Sequence, residues 1–315
     1  MLKIDSLTKM YGHFLALDGL SLEIEDGRLH GFVGPNGAGK TTTMRILATL
    51  LKPTSGTASI DGTDVVRNGS EARKLMGYMP DFFGVYDNLK CWEYLDFYGR
   101  CYRLSAAERR TMADRLLDLV QLGEKRDEYV ESLSRGMKQR LCLARSLIHD
   151  PKLLILDEPA SGMDPRARAD MKTILRSLRD MGKSILVSSH ILPELSEMCD
   201  SLTILDHGKL IFSGSVEALS EKMNGNAPLD IRLQGDCGEE AAERAVACLK
   251  EIPFVKEILQ EEPRLFRVKT EGAEGAEAES AQVLRELLAR GIPVCDFHRA
   301  PMNLEKVFME VTGNA

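Results

Sequence analysis

Long apolar runs are absent from this 315-residue sequence. No stretch approaches the roughly 20 apolar residues that a membrane-spanning helix needs. The first ten residues, MLKIDSLTKM, alternate like a strand and contain no apolar segment of the kind found in signal peptides. We therefore expect any role at a membrane to come through a partner.

Paired cysteines of the CxxC kind are also missing. The cysteines are odd in number and scattered along the chain: Cys91, Cys101, Cys142, Cys199, Cys237, Cys248 and Cys295. This pattern indicates reduced thiols in a cytoplasmic protein, and it argues against a disulfide framework or a cysteine-held metal.

An excess of basic residues is the third absence. The net charge is −7, and the residues from Asn226 onward carry 17 acidic and 11 basic side chains. The first 225 residues are close to balanced, with 31 acidic and 30 basic side chains. Neither part has the positive excess that nucleic-acid binding usually requires, so we expect no nucleic-acid partner.

Short apolar runs (LHGFV, LLIL, SILVSS, LTIL) alternate with helical segments and turn signals. This alternation predicts an α/β domain at residues 1–225 with a largely parallel core sheet. Residues from about 88 to 130 break the rhythm and are almost wholly helical in pattern. Within them, Ser105 and Glu108 form a capping box. We interpret 88–130 as a helical subdomain inserted between two core strands.

The stretch MNGNAP at 223–228 is a probable linker by composition. After it, the pattern β-α-β-β-α-β predicts a small ferredoxin-like α+β domain at residues 226–315. The acidic run EGAEGAEAES at 271–280 is interpreted as a solvated loop. Nothing in this domain indicates a ligand site, and a regulatory or dimer-contact role is open.

A glycine-rich loop follows the strand LHGFV and precedes the helix TTTMRILATL. Its residues fit GxxxxGK[ST], a loop whose backbone N–H groups surround phosphate oxygens at the positive end of a helix. Lys40 is expected to reach the β- and γ-phosphates, and the Thr41 hydroxyl to bind Mg²⁺. The predicted nucleoside-triphosphate site comprises Gly34, Pro35, Asn36, Gly37, Ala38, Gly39, Lys40, Thr41 and Thr42.

Two carboxylates end the apolar strand of LLILDEP at 153–159. A strand-terminal acidic pair can be simple solvated charge, but beside a phosphate loop catalysis is the better interpretation. Asp157 is expected to hold Mg²⁺ through water, and Glu158 to take a proton from the attacking water. Pro159 is expected to impose an extended conformation on Glu158.

A second phosphate-loop-like stretch, LSRGMKQR, occupies residues 133–140, where Ser134 is expected to cap a helix beginning there. With ASGMD at 160–164, His190 in SSH, GYMPD at 77–81 and Tyr11 in KMYG, the set resembles an ATP-binding cassette (ABC) transporter ATPase. The resemblance covers about residues 2–225. The closing LEKVFMEVTG at 304–313 resembles the ABC-2 export type.

The resemblance implies the P-loop NTPase core of an ABC ATPase, with ATP and Mg²⁺ as cofactors. It implies that Tyr11 stacks on adenine, that His190 senses the γ-phosphate, and that Ser134, Gly136 and Asp164 act across a head-to-tail dimer. The expected partners are a second copy or a homologous ATPase subunit, and separate transmembrane permease subunits. The expected location is cytoplasmic, on the inner face of the cell membrane.

Three departures from the family pattern stand out. Asp81 takes the place of the usual Gln and is expected to coordinate metal, directly or through water. Arg135 replaces a glycine of the signature motif, and the D-loop reads SGMD instead of SALD. Near Asp81 in the sequence, three aromatic residues are interpreted either as part of a groove for a membrane-subunit helix or as core: Trp92, Tyr94 and Phe97.

The sequence therefore predicts an ATPase subunit of an exporter. The chief alternative is a soluble ABC ATPase of DNA repair or translation, although neither a long coiled-coil insertion nor a second cassette is present. A nucleotide-binding regulator that hardly hydrolyses ATP is a third possibility, against which the intact Glu158 and His190 argue. The transported substrate is not encoded in these residues.

Overall fold

The computed structural model describes residues 2–82, 84–219, 227–235, 239–271 and 275–300. The chain divides into two compact units, Met1–Val216 and Glu217–Ala315. The boundary expected at residue 225 and the motif at 304–313 lie outside the described residues, as do parts of the linker and residues 272–274 of the acidic run. The loop expected at 271–280 is wrong for residues 276–280, which form the start of the helix Ala276–Ala289. Among the described helices, none is both long and apolar enough to cross a membrane.

A six-stranded sheet forms the centre of the first unit, in the order β10-β9-β3-β8-β7-β6. Its first five strands from the β6 edge are parallel, and β10 is antiparallel to β9. Every residue of β3, β7 and β8 is buried, which explains their apolar runs. The strands are β3 (Leu29–Val33), β6 (Met76–Met79), β7 (Leu153–Leu156), β8 (Ser184–Ser189), β9 (Ser201–Asp206) and β10 (Lys209–Ser215).

A second, antiparallel sheet has the order β2-β1-β4-β5. Its strands are β1 (Leu2–Tyr11), β2 (Phe14–Ile24), β4 (Ser55–Ile60) and β5 (Thr63–Asp64). One hydrophobic core joins the two sheets with the helix that follows β3, and it includes Leu17, Phe32, Met44, Ile60 and Ile155. This packing fixes the glycine-rich loop against the antiparallel sheet.

The first unit also contains the helices α1 (Lys40–Leu47), α2 (Gly69–Leu75), α3 (Cys91–Cys101), α4 (Ala106–Leu119), α5 (Arg135–Leu147), α6 (Pro165–Asp180) and α7 (Leu192–Ser196). Between β6 and β7, which pair directly, the chain forms α3, α4 and α5. The predicted capping box is confirmed, since Ser105 and Glu108 each accept a backbone N–H of the other. We continue to propose 88–130 as a helical subdomain.

The second unit is a four-stranded antiparallel sheet in the order β12-β13-β11-β14, with helices Glu239–Lys250 and Ala276–Ala289. Its strands are β11 (Leu229–Leu233), β12 (Val255–Glu262), β13 (Leu265–Thr270) and β14 (Val294–Arg299). Its core contains Ile231, Leu249, Phe266 and Val283. The chain order β-α-β-β-α-β with this strand order supports our proposal of a ferredoxin-like domain.

Candidate functional site

Four candidate segments follow parallel strands at one edge of the central sheet. The glycine-rich loop follows β3, and Asp81 lies two residues beyond β6. Asp157 directly follows β7, and His190 directly follows β8. Because the carboxyl ends of parallel strands meet at a common edge, strand pairing alone gathers the four segments.

The glycine-rich loop depends on two of its glycines. A Cβ on Gly34 would come within 2.5 Å of the carbonyl oxygen of Leu205. Gly39 has φ of +105° as it caps α1, and a Cβ there would come within 2.8 Å of the carbonyl oxygen of Ala16. Only glycine fits these positions without displacing the backbone of neighbouring strands.

Lys40 is buried at the start of α1, with 6% of its surface exposed. Its ammonium donates to the carbonyl oxygens of Gly34 at 2.5 Å and Pro35 at 3.2 Å. Burial lowers the pKa of Lys40, and the nearby carboxylates of Glu158 and Asp157 raise it by a smaller amount. The cation therefore lies between the loop backbone and the two acids.

Asp157 is the more buried acid of the pair, with 1% of its surface exposed. Its Oδ1 accepts a hydrogen bond from the Ser188 hydroxyl at 2.7 Å, whereas its buried Oδ2 has no hydrogen-bond partner at normal distance among the described residues. Burial raises the pKa of Asp157, while the hydroxyls of Ser188 and Thr41 lower it and the charge of Asp81 raises it.

Glu158 is held against His190, whose Nδ1 lies 3.1 Å from the glutamate Oε2. Burial raises the pKa of Glu158, and His190 and Lys40 lower it by a smaller amount. A carboxylate that is partly desolvated is a stronger base than an exposed one, and its pKa lies nearer the working pH of an enzyme.

The expected extended backbone at Glu158 is wrong. Its φ is +49°, in the left-handed region, despite the following Pro159. The Glu158 N–H donates to Ser188 Oγ at 2.9 Å, and the Glu158 carbonyl accepts from the N–H of Ser161 at 3.0 Å. These bonds outweigh the local preference of a residue before proline, and such strain is often found at functional sites.

One cavity of about 390 Å³ joins most of the candidate residues. The predicted residues that line it are Tyr11, Pro35, Asn36, Gly37, Ala38, Gly39, Lys40, Thr41, Thr42, Asp81, Glu158 and His190. Phe14, Ala16 and Ser161 also line it, and none of the three was among the predicted site residues. Phe14 is 60% exposed and pairs with Tyr11 across the β1–β2 turn. A second aromatic three residues after Tyr11 was the sequence signal that could have identified it.

Five predicted residues lie outside this lining. Gly34 and Asp157 are buried next to it. Ser134 caps α5 by accepting from the N–H of Met137, and Asp164 caps α6 by accepting from the N–H of Ala167. Gly136 lies in the first turn of α5, where a Cβ would approach Ala167 at 3.1 Å.

Two of the departures from the family pattern meet in space. Gly162 has φ of +67°, and a Cβ there would come within 2.6 Å of the Arg135 guanidinium carbon. Beside this contact, the buried Gln139 donates to the carbonyl oxygen of Ser161 at 2.9 Å. The N-terminal half of α5 therefore packs on the loop that leads away from Glu158.

The residues present fit Mg²⁺ bound together with a triphosphate. Asp157 Oδ2 is a buried carboxylate oxygen without a hydrogen-bond partner at normal distance among the described residues. The Thr41 side chain lies close to the Asp157 carboxylate. No group of three or more His, Cys, Asp or Glu residues able to hold a metal occurs among the described residues. Mg²⁺ commonly uses one or two protein ligands and takes the rest from phosphates and water.

Comparison with known proteins gives the family. The family model described as "ABC transporter" matches residues 17–161. The chain is 35% identical over 311 residues to a daunorubicin resistance ATP-binding protein of Streptomyces coeruleorubidus, covering 99% of this chain and 95% of that protein. It is 34% identical to a Nod factor export ATP-binding protein of Cupriavidus metallidurans, covering 99% and 97%.

Solved structures agree on the fold. An ATP-binding subunit of an ABC transporter is 28% identical with a TM-score of 0.64, covering 71% of this chain and 93% of that one. A dimeric ATP-binding cassette bound to ADP and Pi is 26% identical with a TM-score of 0.62, covering 69% and 99%. The predicted P-loop core of ABC ATPase type is confirmed, and the relatives favour a transport subunit over the alternative of DNA repair or translation. The chain belongs to the ABC transporter family, as one of its ATP-binding and ATP-hydrolysing subunits.

Proposed function

We propose that this chain drives an exporter by hydrolysing ATP at the cavity formed by the glycine-rich loop, Asp81, Glu158 and His190. The observation that carries the proposal is the placement of Glu158, a partly desolvated carboxylate held at 3.1 Å by His190 on the wall of the cavity that contains Lys40. Glu158 would take the proton of the attacking water. His190 would orient that carboxylate and contact the γ-phosphate.

The remaining residues would bind and orient the nucleotide. Tyr11 would stack on the adenine ring. The backbone N–H groups of residues 36–42 would donate to the phosphate oxygens, and the Lys40 ammonium would balance the phosphate charge. Asp157 and Thr41 would hold Mg²⁺, with Asp81 beside them. When bound, the cation would neutralise the charge that develops on the phosphate oxygens.

We propose that a second copy or a homologous subunit completes each site. Ser134 and Gly136 lie outside the lining of this chain's own cavity, at the N-terminus of α5, where N–H groups and the helix dipole favour an anion. In a head-to-tail pair they would face the partner's ATP, and Asp164 would contact the partner. ATP held between two copies would offset the cost of association, and hydrolysis would release them.

An exposed aromatic surface supports a separate permease partner. Phe82, just after Asp81, is 92% exposed, and the half-exposed rings of Tyr86 and Phe97 contact each other at 5.3 Å between centroids. Tyr94 is fully buried and is therefore core. Trp92 is only partly buried and lies against the Arg126 guanidinium at 5.4 Å. We propose that these exposed rings, Phe82, Tyr86 and Phe97, contact a membrane subunit on the cytoplasmic side.

Export as the direction of transport rests on the relatives, which are named for drug resistance and Nod factor export. The experiment that tests the proposal is affinity isolation of the tagged protein from detergent-solubilised membranes. We expect a multi-spanning hydrophobic chain to co-purify in fixed proportion, and replacement of Phe82 and Phe97 by Asp to remove it. A dimer without any membrane partner, or one bound to ribosomes or DNA, would contradict the proposal.

A further inference from the structure

Ser188 is a fully buried polar residue outside the predicted set of site residues. It lies in β8, two residues before His190, and β8 pairs in parallel with β7 so that Leu156 faces Val187. The next residue of each strand is therefore Asp157 on one side and Ser188 on the other. Strand register places the serine hydroxyl directly beside the acidic pair.

The Ser188 hydroxyl makes two hydrogen bonds of opposite sense. It donates to Asp157 Oδ1 at 2.7 Å, and it accepts from the N–H of Glu158 at 2.9 Å. A hydroxyl has one proton to give and lone pairs to receive, so a single side chain satisfies both groups. Alanine would leave a buried carboxylate oxygen and a partly buried amide without these partners.

Each bond has a consequence for the site. Ser188 donates to Oδ1 of Asp157, so the oxygen left for a cation or its water is Oδ2. Among the described residues, Oδ2 has no hydrogen-bond partner at normal distance. Because Ser188 accepts the N–H of Glu158, it holds that residue at its φ of +49°, a conformation that non-glycine residues seldom adopt. The direction in which the Glu158 side chain leaves the backbone depends on this conformation.

We propose that Ser188 is a positioning residue that sets the metal-facing oxygen of Asp157 and the backbone of Glu158 with one hydroxyl. This inference rests on the roles proposed above for the two acids. It assigns no direct contact with substrate to Ser188. When the hydroxyl is removed, the geometry of both acids changes together.

The test compares Ser188→Ala with Ser184→Ala in the full chain. Ser184 lies at the other end of β8, is nearly as buried, and likewise accepts one backbone N–H, that of Gly27, at 2.9 Å. Its removal therefore matches the loss of a buried hydroxyl without touching the acids. Ser188→Thr keeps the hydroxyl, and Ser188→Cys fills the space with a poor donor.

Two assays are used. The first gives the kcat and KM of ATP hydrolysis, and the second gives the affinity for a fluorescent ATP analogue in Mg²⁺ and in EDTA. We expect Ser188→Ala and Ser188→Cys to lower kcat by about 10–100-fold, as is typical when a group that orients a metal ligand is lost. They should also reduce the gain in affinity that Mg²⁺ gives, with affinity in EDTA unchanged. Ser188→Thr should recover most of both, and Ser184→Ala should change neither.

Glu158→Gln is run in parallel to separate the two proposals. If it abolishes hydrolysis while Ser188→Ala behaves like Ser184→Ala, the role of Ser188 is wrong and the proposed function stands. If Ser188→Thr folds but is as impaired as alanine, the effect is one of packing and the inference fails. If Glu158→Gln hydrolyses ATP at the normal rate, the proposed function fails first. Ser188→Cys decides the matter if the alanine variant does not fold.

Discussion

The two units of the chain differ in how many polar residues they bury. Among the described residues, the second unit has a single buried polar residue, Asp230, and both its carboxylate oxygens accept from Arg267 at 2.8 Å. The first unit has the others: His30, Lys40, Thr43, Gln139, Ser146, Asp157, Ser184, Ser188, Ser189 and Thr203. All described non-glycine residues with positive φ also lie in the first unit, among them Glu158.

The difference indicates where each unit serves stability and where it serves chemistry. Burying a charge without full pairing is unfavourable, and so is a left-handed backbone at a residue with a side chain. In the first unit the buried charges of Lys40 and Asp157 lie at the carboxyl edge of the central sheet, next to the left-handed backbone of Glu158. In the second unit the described core is apolar and its one buried charge is paired, so these core residues stabilise the fold.

The largest expected effect concerns the base. Glu158→Gln should reduce the rate of ATP hydrolysis by about 10²–10⁴-fold, because the amide cannot take a proton, while ATP binding persists. The matched change in the second unit is Arg267→Met, which leaves Asp230 unpaired and should lower stability without changing hydrolysis below the melting temperature. Steady-state ATPase assays of both variants check this. Equal losses in the two would break the comparison.

The second prediction concerns the apolar core of the second unit. Phe266→Ala should lower its free energy of unfolding by about 3–5 kcal/mol, because a fully buried ring is replaced by a cavity. ATPase activity at a temperature where the variant remains folded should not change. Denaturant unfolding and a parallel ATPase assay test this. A fall in activity of folded protein would show that the second unit supports the chemistry.

Sequence reasoning located the parts of the site that depend on local pattern. A strand, a glycine-rich turn and a helix start define the loop around Lys40, and an apolar run ending in two acids identifies Asp157 and Glu158. Parallel strand pairing then gathered them, as expected from the alternation of strands and helices. The roles assigned to these residues stay predictions.

The features that were missed depend on contacts between distant residues. From the sequence, Ser188 was only one residue of the strand SILVSS. Its partner Asp157 is 31 positions away, so no local pattern indicates the hydrogen bond between them. The backbone at Glu158 was predicted from its neighbour Pro159, but two tertiary hydrogen bonds override that preference. Arg135 and Gly162 were noted as separate departures, and no local pattern could show that they touch.

The third prediction separates stability from function at Asp157. Burial raises the pKa of this carboxyl in the folded state, so folding disfavours its ionised form. The resulting loss of stability is full at pH values above the folded pKa and disappears as the pH falls below the unfolded value. Asp157→Asn should therefore raise the melting temperature of nucleotide-free protein at pH 7, and the gain should vanish on acidification.

Thermal melts across a pH series measure this effect, with about 2–4 °C expected for each kcal/mol in a unit of this size. Asp230→Asn is the control, because that carboxylate is paired with Arg267 and its loss should lower the melting temperature at pH 7. A stabilising Asp230→Asn or a destabilising Asp157→Asn would contradict the contrast between the units.

The substitution with the smallest expected effect is at Gly162, and it tests the contact between Gly162 and Arg135. Gly162→Ala should cost about 1–2 kcal/mol of stability, because alanine resists the φ of +67° found there. The new Cβ would also displace the Arg135 guanidinium, because the guanidinium carbon lies only 2.6 Å from where that Cβ would stand. In an Arg135→Ala background the second cost is absent, so Gly162→Ala should be less harmful there. Denaturant unfolding of the four proteins in this double-mutant cycle gives the interaction energy. A cost that is the same in both backgrounds would mean that Arg135 does not rest on the loop, and that backbone strain alone determines the choice of glycine.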